Sequence, residues 1–471
     1  MSAESWSKRW RSGVFILYAV VMLAGVLMPF PAKADTATVC VQASDPAEKH
    51  RACTQVIASG GWSGPNLAWA FGSRGQAAIG LGDAQGALAD LNQGILLNPT
   101  IAALFGERGK LYYRLGRYPA ALNDFDQAIL LDPSIPLTYS LRANTHLRMG
   151  NYHRAIDDFS QKIRLTGDDP FTLNNRGLAY YEFGDYDRAL ADFDRALQQQ
   201  PHYAPGYVNR GLVHVDRGNP RRAIADYSAA IKVDPKFALA WSNRGNAYLE
   251  LEDWQKAKAD FESALALAPD MVEALHGRGI TRVHLGETDD GIDDFDLALQ
   301  LDPNNADVFT SRGAAYAHLG AFERAIEDFD QALKLDPENS VAFTNRGMAY
   351  FDRSKYGKAI DDFNQAIERD PSAARAVQQR GLAFCRIGNI DGAYEDMLLV
   401  EQLSRDLWSE IEAILRSADY LDNVGRGSEA PINEAALRTW LTDGCPKAGT
   451  TNRKANRGDI RQRSLHLDRR S

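Results

Sequence analysis

The chain has 471 residues, which is enough for several compact domains, and its formal net charge is −9. The charge is uneven, because residues 446–471 carry eight basic and two acidic side chains while the acidic excess lies before them. Apart from that basic end, the acidic composition argues against nucleic acid as a partner, since a surface that binds phosphates has to be basic.

The N-terminal residues have the pattern of an export signal. Three basic residues precede an apolar run over 14–28, and the small-residue cleavage motif Ala32-Lys33-Ala34 follows. The run is shorter than the roughly 20 residues that a helix needs to span a bilayer. We predict that residues 1–34 are a signal peptide and that the protein is periplasmic or secreted. The alternative is an uncleaved segment that anchors the protein to a membrane.

Residues 35–65 are expected to cap the helical array that follows. Pro46 to Ser59 has the pattern of a lone second helix of a helical hairpin, with Cys53 at a core position. Exported proteins meet oxidising conditions, so we predict a Cys40–Cys53 disulfide that contributes roughly 3 kcal/mol for a loop of this size. A redox-active pair is the alternative, but the two cysteines lack the C-x-x-C spacing.

From residue 66 onward an arginine recurs every 34 residues, ten times without a slip, and glycine follows it in nine copies. In the copy Ala306 to Pro337, apolar residues have helical spacing over Val308 to Leu319 and Phe322 to Leu335. Gly320 suits the left-handed end of a first helix, and Pro337 ends the second. Such a period predicts stacked helical hairpins. The arginines are Arg74, Arg108, Arg142, Arg176, Arg210, Arg244, Arg278, Arg312, Arg346 and Arg380.

The repeating residues resemble the tetratricopeptide repeat (TPR) family, whose 34-residue unit has an aromatic residue, Leu-Gly, Tyr, Ala, an aromatic residue, Ala and Pro at set positions. The resemblance covers about Asn66 to Val400 and implies an all-α, right-handed superhelical solenoid of ten helix-turn-helix repeats over 66–403. One matching copy has Trp241, Gly245, Tyr248, Ala257, Phe261, Ala264 and Pro269.

The chain departs from the family pattern at the position before the glycine, where leucine is usual and all ten copies have arginine. Aspartate also recurs in all ten copies, just before the aromatic position of the second helix. Because a planar guanidinium suits bidentate pairing with a carboxylate, we predict a structural Arg–Asp ladder within or between repeats. The alternative is an arginine row that lines a ligand groove. The predicted ladder includes Arg176, Asp192, Arg244, Asp260, Arg312 and Asp328.

The resemblance also implies that outward positions of the first helices line a concave groove that selects a protein partner. The middle of the predicted groove is apolar with asparagines interspersed, which suits a peptide backbone, alternate side chains or a helix face. Alternatively, many of these residues only pack between first helices. The candidate groove residues are Lys110, Tyr113, Asn144, Asn174, Leu178, Tyr181, Leu212, Val215, Asn246, Leu249, Ile280, Val283, Met348 and Phe351.

Residues 404–445 predict a small helical module, with helices over 406–418 and 433–441. Their pattern weakly resembles a peptidoglycan-binding type of helical module, although the usual Asp-Gly turn is missing. A plain helical cap on the last repeat is the alternative. Cys385 and Cys445 would pair if this module folds back over the last repeat. Residues 446–471 are polar and basic, and we expect them to be disordered.

No motif predicts catalysis, a metal or another cofactor. His284 and His318 are equivalent in successive repeats but lack the further ligands of a metal site. We therefore expect a non-enzymatic scaffold or adaptor of the bacterial cell envelope that binds a peptide segment or helix of a partner protein. The alternative is a peptidoglycan-associated protein whose C-terminal module localises a partner that the repeats recruit. Membrane contact is expected only if the N-terminal segment stays uncleaved.

Overall fold

The computed structural model of the protein describes residues 31–417 and 434–445. Within these ranges the chain forms 24 α-helices and no strand, which confirms the predicted all-α fold. The export-signal residues before Pro31, residues 418–433 with the predicted glycine-rich turn, and the basic end after Cys445 lie outside the described residues. No helix in the described part of the chain is long and apolar enough to cross a membrane.

The chain divides at Gly167 into two compact units, which we call unit 1 and unit 2. Gly167 stands where the other copies place the proline that ends the second helix, and its φ is 78°. The sequence predicted a single array of ten repeats. All ten repeats are present, three of them before Gly167 and seven after it.

Unit 1 contains four helical hairpins, and the last three are repeats 1 to 3. Each first helix packs against its own second helix, and each second helix packs against the first helix of the next hairpin. A short 3-10 turn, Gly64–Leu67, leads into the first repeat. The helices are α1 (Pro31–Gln42), α2 (Pro46–Ala58), α3 (Ala68–Leu81), α4 (Ala84–Leu97), α5 (Ala102–Arg114), α6 (Tyr118–Leu131), α7 (Pro136–Arg148) and α8 (Tyr152–Thr166).

Unit 2 contains repeats 4 to 10 in the same arrangement, followed by two further helices. The helices of the repeats are α9 (Pro170–Glu182), α10 (Tyr186–Gln199), α11 (Ala204–Asp216), α12 (Pro220–Val233), α13 (Ala238–Glu250), α14 (Trp254–Leu267), α15 (Val272–His284), α16 (Thr288–Leu301), α17 (Ala306–His318), α18 (Phe322–Leu335), α19 (Ser340–Asp352), α20 (Tyr356–Arg369), α21 (Ala374–Arg386) and α22 (Ile390–Leu403). The two further helices are α23 (Arg405–Ser417) and α24 (Glu434–Thr442).

The turn inside each of the ten repeats has the left-handed closure that the sequence predicted. Gly320, which follows α17, has a φ of 77°, and the amide of Ala321 donates to the carbonyl of Tyr316 at 2.9 Å. This hydrogen bond satisfies a carbonyl that the end of the helix leaves free. Eight repeats place glycine at this position, whereas Glu252 and Ser354 adopt the same left-handed conformation in the other two.

In seven of the ten repeats, the glycine after the repeating arginine contacts the aromatic ring of the second helix. A Cβ atom placed on Gly245 would lie only 2.8 Å from the ring of Phe261, so the two helices meet without room for a side chain. Phe261 is fully buried, as are Ala257 and Ala264 on the same helix. These small residues let α13 and α14 approach closely.

The N-terminal end differs from the predicted lone capping helix. The predicted helix is present as α2, but α1 packs against it as a partner, and α2 then packs against α3. The predicted disulfide between Cys40 and Cys53 is confirmed and joins α1 to α2. The predicted cleavage point after Ala34 lies in the first turn of α1. A complete hairpin therefore covers this end of unit 1.

The two C-terminal helices cover the last repeat of unit 2. Trp408 and Leu415 of α23 and Trp440 of α24 are buried in one cluster with residues of α21 and α22. A second disulfide joins Cys385 of α21 to Cys445, which follows α24. All four cysteines of the chain are thus paired, which indicates an oxidising compartment outside the cytoplasm.

The face of the first helices

Within each unit, consecutive first helices contact one another, whereas the second helices of consecutive repeats lie further apart. Each unit therefore curves towards its first helices, as helical repeats do when they stack with a small rotation. The outward residues of these helices share one surface, which we call the first-helix face.

The repeating arginines bind the repeating aspartates within each hairpin. Nε and Nη2 of Arg244 donate to the two carboxylate oxygens of Asp260 at 2.7 and 2.8 Å, and Asp260 is only 4% exposed. The same bidentate arrangement occurs in all ten repeats. The pairs are Arg74–Asp90, Arg108–Asp124, Arg142–Asp158, Arg176–Asp192, Arg210–Asp226, Arg244–Asp260, Arg278–Asp294, Arg312–Asp328, Arg346–Asp362 and Arg380–Asp396.

The third nitrogen of the guanidinium extends this pairing to the preceding hairpin. Nη1 of Arg312 donates to Asp296 of the previous repeat at 2.6 Å. Other arginines make the same contact sixteen residues back along the chain, among them Arg108, Arg142, Arg210, Arg244, Arg346 and Arg380. Their partners are Asn92, Asp126, Asp194, Ser228, Asp330 and Asn364. The Arg–Asp ladder thus joins hairpins to one another as well as the helices of one hairpin.

Aromatic rings and burial complete the surroundings of the arginines. The guanidinium carbon of Arg244 lies 5.0 Å from the ring centroid of Trp241 and 5.9 Å from that of Tyr248. Hydrogen bonding to Asp328 raises the pKa of Arg312, and burial raises the pKa of Asp328. Because the arginines are engaged inside the stack, this geometry favours a structural role over a ligand-lining row.

The candidate groove residues occupy two positions of the first helices, two and five residues after the arginine, with Asn174 as the exception. Most are half-buried, and Asn246 is exposed. Asn174 and Val283 are buried instead, so they do not line the exposed face. Asn174 accepts a hydrogen bond from Asn209 Nδ2 at 2.9 Å, which links α9 to α11. Lys110 pairs with Glu107 on its own helix at 2.7 Å.

In unit 2 half-buried apolar residues recur at one position of the first helices and form a row, interrupted by Asn246 in α13 and Ala314 in α17. Leu178, Leu212, Ile280 and Met348 lie at the same position of α9, α11, α15 and α19. Next to this row, burial and a hydrogen bond to Asp216 raise the pKa of Tyr181. The row provides apolar surface that remains partly open to solvent.

Aromatic residues of the candidate set lie at the end of the first helices and contact the start of the second. The rings of Tyr113 and Tyr118 are 5.6 Å apart between centroids, and those of Phe351 and Tyr356 are 5.3 Å apart. Each contact joins the two helices of a single hairpin, α5 with α6 and α19 with α20. These two candidates therefore contribute to packing at the turn as well as to the first-helix face.

A row of asparagines that was not among the predicted site residues immediately precedes the repeating arginine. They are half-buried and lie beside the apolar row of unit 2. The signal was available in the sequence, as the tripeptide Asn-Arg-Gly recurs in four copies. The residues are Asn175, Asn209, Asn243 and Asn345.

The two units differ in charge at the position six residues after the repeating arginine, which is the last residue of every first helix of the repeats except α3. In unit 2 four of the seven first helices have a carboxylate there, and the other three have His284, His318 and Arg386. We call the four carboxylates the acidic edge: Glu182, Asp216, Glu250 and Asp352. In unit 1 this position holds Arg114 and Arg148 on α5 and α7.

The residues that the structure describes contain no group of three or more His, Cys, Asp or Glu placed to hold a metal ion. His284 stacks on Trp254, with the two ring centroids 4.0 Å apart. His276 bonds Ser311 through Nε2 at 2.8 Å, and desolvation lowers its pKa to about 4. These two histidines therefore have packing partners on neighbouring helices.

Comparison with known proteins agrees with this architecture. Models of the tetratricopeptide repeat family match most of the repeat region and together cover more than half of the chain. The matched residues are 109–150, 170–203, 208–272, 245–310, 306–339 and 340–373. No curated protein sequence matches the chain.

Several solved structures are similar to parts of the chain. YrrB, described as a TPR protein with an unusual peptide-binding site, shares 25% identity over 39% of this chain and 95% of its own, with a TM-score of 0.32. The type IV pilus biogenesis factor PilW shares 24% identity over 44% and 98%, with a TM-score of 0.41. A tetratricopeptide repeat protein from Parabacteroides merdae shares 19% over 53% and 98%, with a TM-score of 0.44. The chain belongs to the tetratricopeptide repeat family.

Proposed function

We propose that the protein is an exported scaffold whose first-helix face in unit 2 binds an extended segment or a helix of a partner protein in the bacterial cell envelope. Repeats of this family indicate a scaffold for protein–protein interaction, and proteins of this family and fold are typically non-enzymatic. To this family role we add a class of partner, which is a peptide segment or helix, a binding face in unit 2 and a location in the cell envelope.

The apolar row of unit 2 is the observation that carries the proposal. Leu178, Leu212, Ile280 and Met348 repeat at one position yet stay half-buried, whereas the packing residues of the same helices are buried. An apolar strip of this kind suits alternate side chains of a bound segment or one face of a helix. The neighbouring asparagine amides offer donors and acceptors for its backbone.

The exported location is supported by the N-terminal sequence pattern and by the two disulfides. A charged head, an apolar core and a cleavage motif are typical of a secretory signal. Disulfides persist in secreted and periplasmic proteins and are rare in the cytosol. We therefore place the protein in the periplasm or outside the cell, with membrane anchoring through an uncleaved N-terminus as the alternative.

Photo-cross-linking in intact cells tests the binding face. A benzoylphenylalanine in place of Asn246 reports on the first-helix face, and one in place of Gln300 reports on an exposed second-helix position in α16. We expect a discrete cross-linked protein from position 246 and none from position 300. Equal labelling from both positions would show that the first-helix face is not the binding surface.

Peptidoglycan binding by residues 404–445 is the second candidate, and the packing of the C-terminal helices does not favour it. Trp408 and Trp440 are buried against the last repeat, as expected of a helical cap. Sedimentation of the full chain with purified murein sacculi tests the point. A plain cap predicts that the protein stays in the supernatant.

A further inference from the structure

The acidic edge of unit 2 is not explained by the stability of the helices that carry it. Glu182, Asp216 and Asp352 are exposed and Glu250 is half-buried, and all four lie in the last turn of a first helix. A carboxylate at this end opposes the helix dipole and destabilises its own helix slightly. Four repeats of unit 2 thus have a negative charge at the same position, and Asp216 also bonds Tyr181.

Two basic residues next to the acidic edge pair with carboxylates of second helices. Arg217 follows Asp216 and pairs with Asp187 at 2.9 Å, and Arg353 follows Asp352 and pairs with Glu323 at 2.6 Å. From α9 to α19, no lysine or arginine occupies the positions two, five or six residues after the repeating arginine. The middle of this face is therefore mostly apolar, and four of the six first helices from α9 to α19 have a carboxylate along one side.

The described chain ends beside this face. Arg386 occupies in α21 the position that Asp352 holds in α19, and its Nη1 donates to the carbonyl of Gly444 at 2.8 Å. The next residue, Cys445, is bonded to Cys385 of the same helix. Residues 446–471, which we call the basic tail, therefore begin in line with the acidic edge.

The chemistry and the length of the basic tail match this face. The tail has eight basic and two acidic residues, with Ile460, Leu465 and Leu467 among them. When fully extended it spans up to about 90 Å. The seven first helices of unit 2, packed at about 10 Å, span roughly 60 Å. The tail is thus long enough to follow the whole face.

We propose that the basic tail binds along the first-helix face of unit 2, with its arginines and lysines on the acidic edge, and holds that face until a partner displaces it. This inference rests on the proposed function, because the basic tail and the partner protein would bind the same first-helix face. Because the tail is tethered, its effective concentration is of the order of millimolar. Even a weak intrinsic affinity therefore keeps the face occupied.

Carbodiimide cross-linking of the full chain tests the contact directly, since it joins lysines to touching carboxylates. Lys454 can reach about 30 Å from Cys445, which includes Asp352 but not the far end of the edge. We expect a Lys454–Asp352 or Lys447–Asp352 product by mass spectrometry, lost in 1 M salt because screening weakens exposed ion pairs. Products restricted to carboxylates of second helices, such as Glu327, would overturn the proposal.

A synthetic peptide with the sequence of residues 446–471 tests affinity and specificity in solution. We expect it to bind the chain truncated after Cys445 more tightly than the full chain, where the tethered tail competes. The triple variant Glu182→Gln/Asp216→Asn/Glu250→Gln, made in the truncated chain, should weaken binding about tenfold. Fluorescence anisotropy measures each affinity, and circular dichroism shows whether the truncated chain and its variants are folded.

A matched control removes three exposed carboxylates from second helices of the same truncated chain. The variant Asp293→Asn/Glu327→Gln/Asp361→Asn changes the net charge equally and should leave the affinity unchanged. Equal weakening by both triple variants would mean only non-specific attraction between the peptide and an acidic protein. A scrambled peptide that binds as tightly would overturn the proposal as well.

These measurements distinguish a failure of the proposed function from a failure of the tail proposal. If cross-linking from position 246 finds a partner while the tail peptide does not bind, the face is a binding site without an internal competitor. If the peptide binds as expected but no partner is cross-linked there, the tail contact stands and the proposed function fails.

Discussion

Units 1 and 2 share the residues that hold hairpins together and differ in the residues that face solvent on the first helices. Both carry the Arg–Asp ladder, with Arg108–Asp124 in unit 1 matching Arg244–Asp260 in unit 2. At the last residue of the first helices, however, unit 1 has Arg114 and Arg148 where unit 2 has the acidic edge.

This difference separates two kinds of repetition. Positions that repeat in both units, such as the buried Asp124 and Asp260, are fixed by packing and pairing inside the stack. Exposed positions such as Arg114 and Glu182 vary between units, because the stack does not require a particular residue there. The first-helix face can therefore change its charge without changing the fold.

The largest expected effect concerns the Arg–Asp ladder, which both units share. Arg108→Leu in unit 1 and Arg244→Leu in unit 2 each leave a buried aspartate without its partner. We expect each to destabilise its unit by about 3–5 kcal/mol, as for a broken buried ion pair. Urea unfolding followed by circular dichroism measures the loss, and peptide-resolved hydrogen exchange locates it.

An exposed pair in unit 2 provides the control. Arg188 is 64% exposed and pairs with Asp185 within the same turn, so Arg188→Leu should change the stability little. If Arg108→Leu and Arg244→Leu are equally mild, the Arg–Asp ladder is not what stabilises the stack. Loss in only one unit would mean that the two ladders differ despite their matching geometry.

The disulfides at the ends of the two units differ in the length of the loop that each closes. Cys385 and Cys445 close a loop with a sequence separation of 60, and Cys40 and Cys53 one of 13. By loop-closure entropy, replacement of both cysteines by serine should cost about 4 kcal/mol in unit 2 and about 3 kcal/mol in unit 1. A larger loss in unit 1, measured by urea unfolding, would contradict this order.

Acid should act on unit 2 through a histidine that unit 1 lacks at the matching position. The ring of His276 is half-buried, and desolvation lowers its pKa to about 4, whereas an unfolded histidine has a pKa near 6.5. The unfolded state therefore binds more protons between these values, so stability is lost as the pH falls through that window. Glycine or serine takes this place in unit 1.

A conservative replacement isolates this histidine. Between pH 7.5 and pH 4.5 the unmodified protein should lose about 2 kcal/mol more than His276→Gln, which keeps a hydrogen-bonding group near Ser311. Urea unfolding at the two pH values gives both losses. Identical losses would assign the acid sensitivity to other groups.

The repeated features of the fold were predictable from the sequence because a fixed period reveals them ten times. The hairpin of α17 and α18, the turn at Gly320 and the phase of the repeating arginine all follow from that period. The helix α1 was missed because its residues overlap the predicted cleavage site. The division at Gly167 was visible as a missing proline, but its consequence depends on packing that no local pattern encodes.

The binding face was less predictable for a physical reason. Spacing along a helix places a residue on a face, but whether it is exposed depends on how closely the neighbouring repeat packs. Asn174 lies in a first helix among the candidate residues, yet Asn209 of the next repeat covers it and bonds it. The row of Asn-Arg-Gly tripeptides was visible, but its place beside the apolar row required the structure.

The smallest expected effect concerns the left-handed turns. Unit 1 places glycine at all three such turns, whereas unit 2 has Glu252 at φ 56° and Ser354 at φ 58°. A side chain in this conformation costs roughly 1–2 kcal/mol, so its replacement by glycine removes that strain. The extra freedom of glycine in the unfolded chain offsets part of the stability gained. Glu252→Gly and Ser354→Gly should therefore each stabilise unit 2 by about 0.5 kcal/mol in urea unfolding. The control Glu252→Ala keeps the strained conformation and should bring no gain, so an equal gain from alanine would show that the charge of Glu252 is responsible instead.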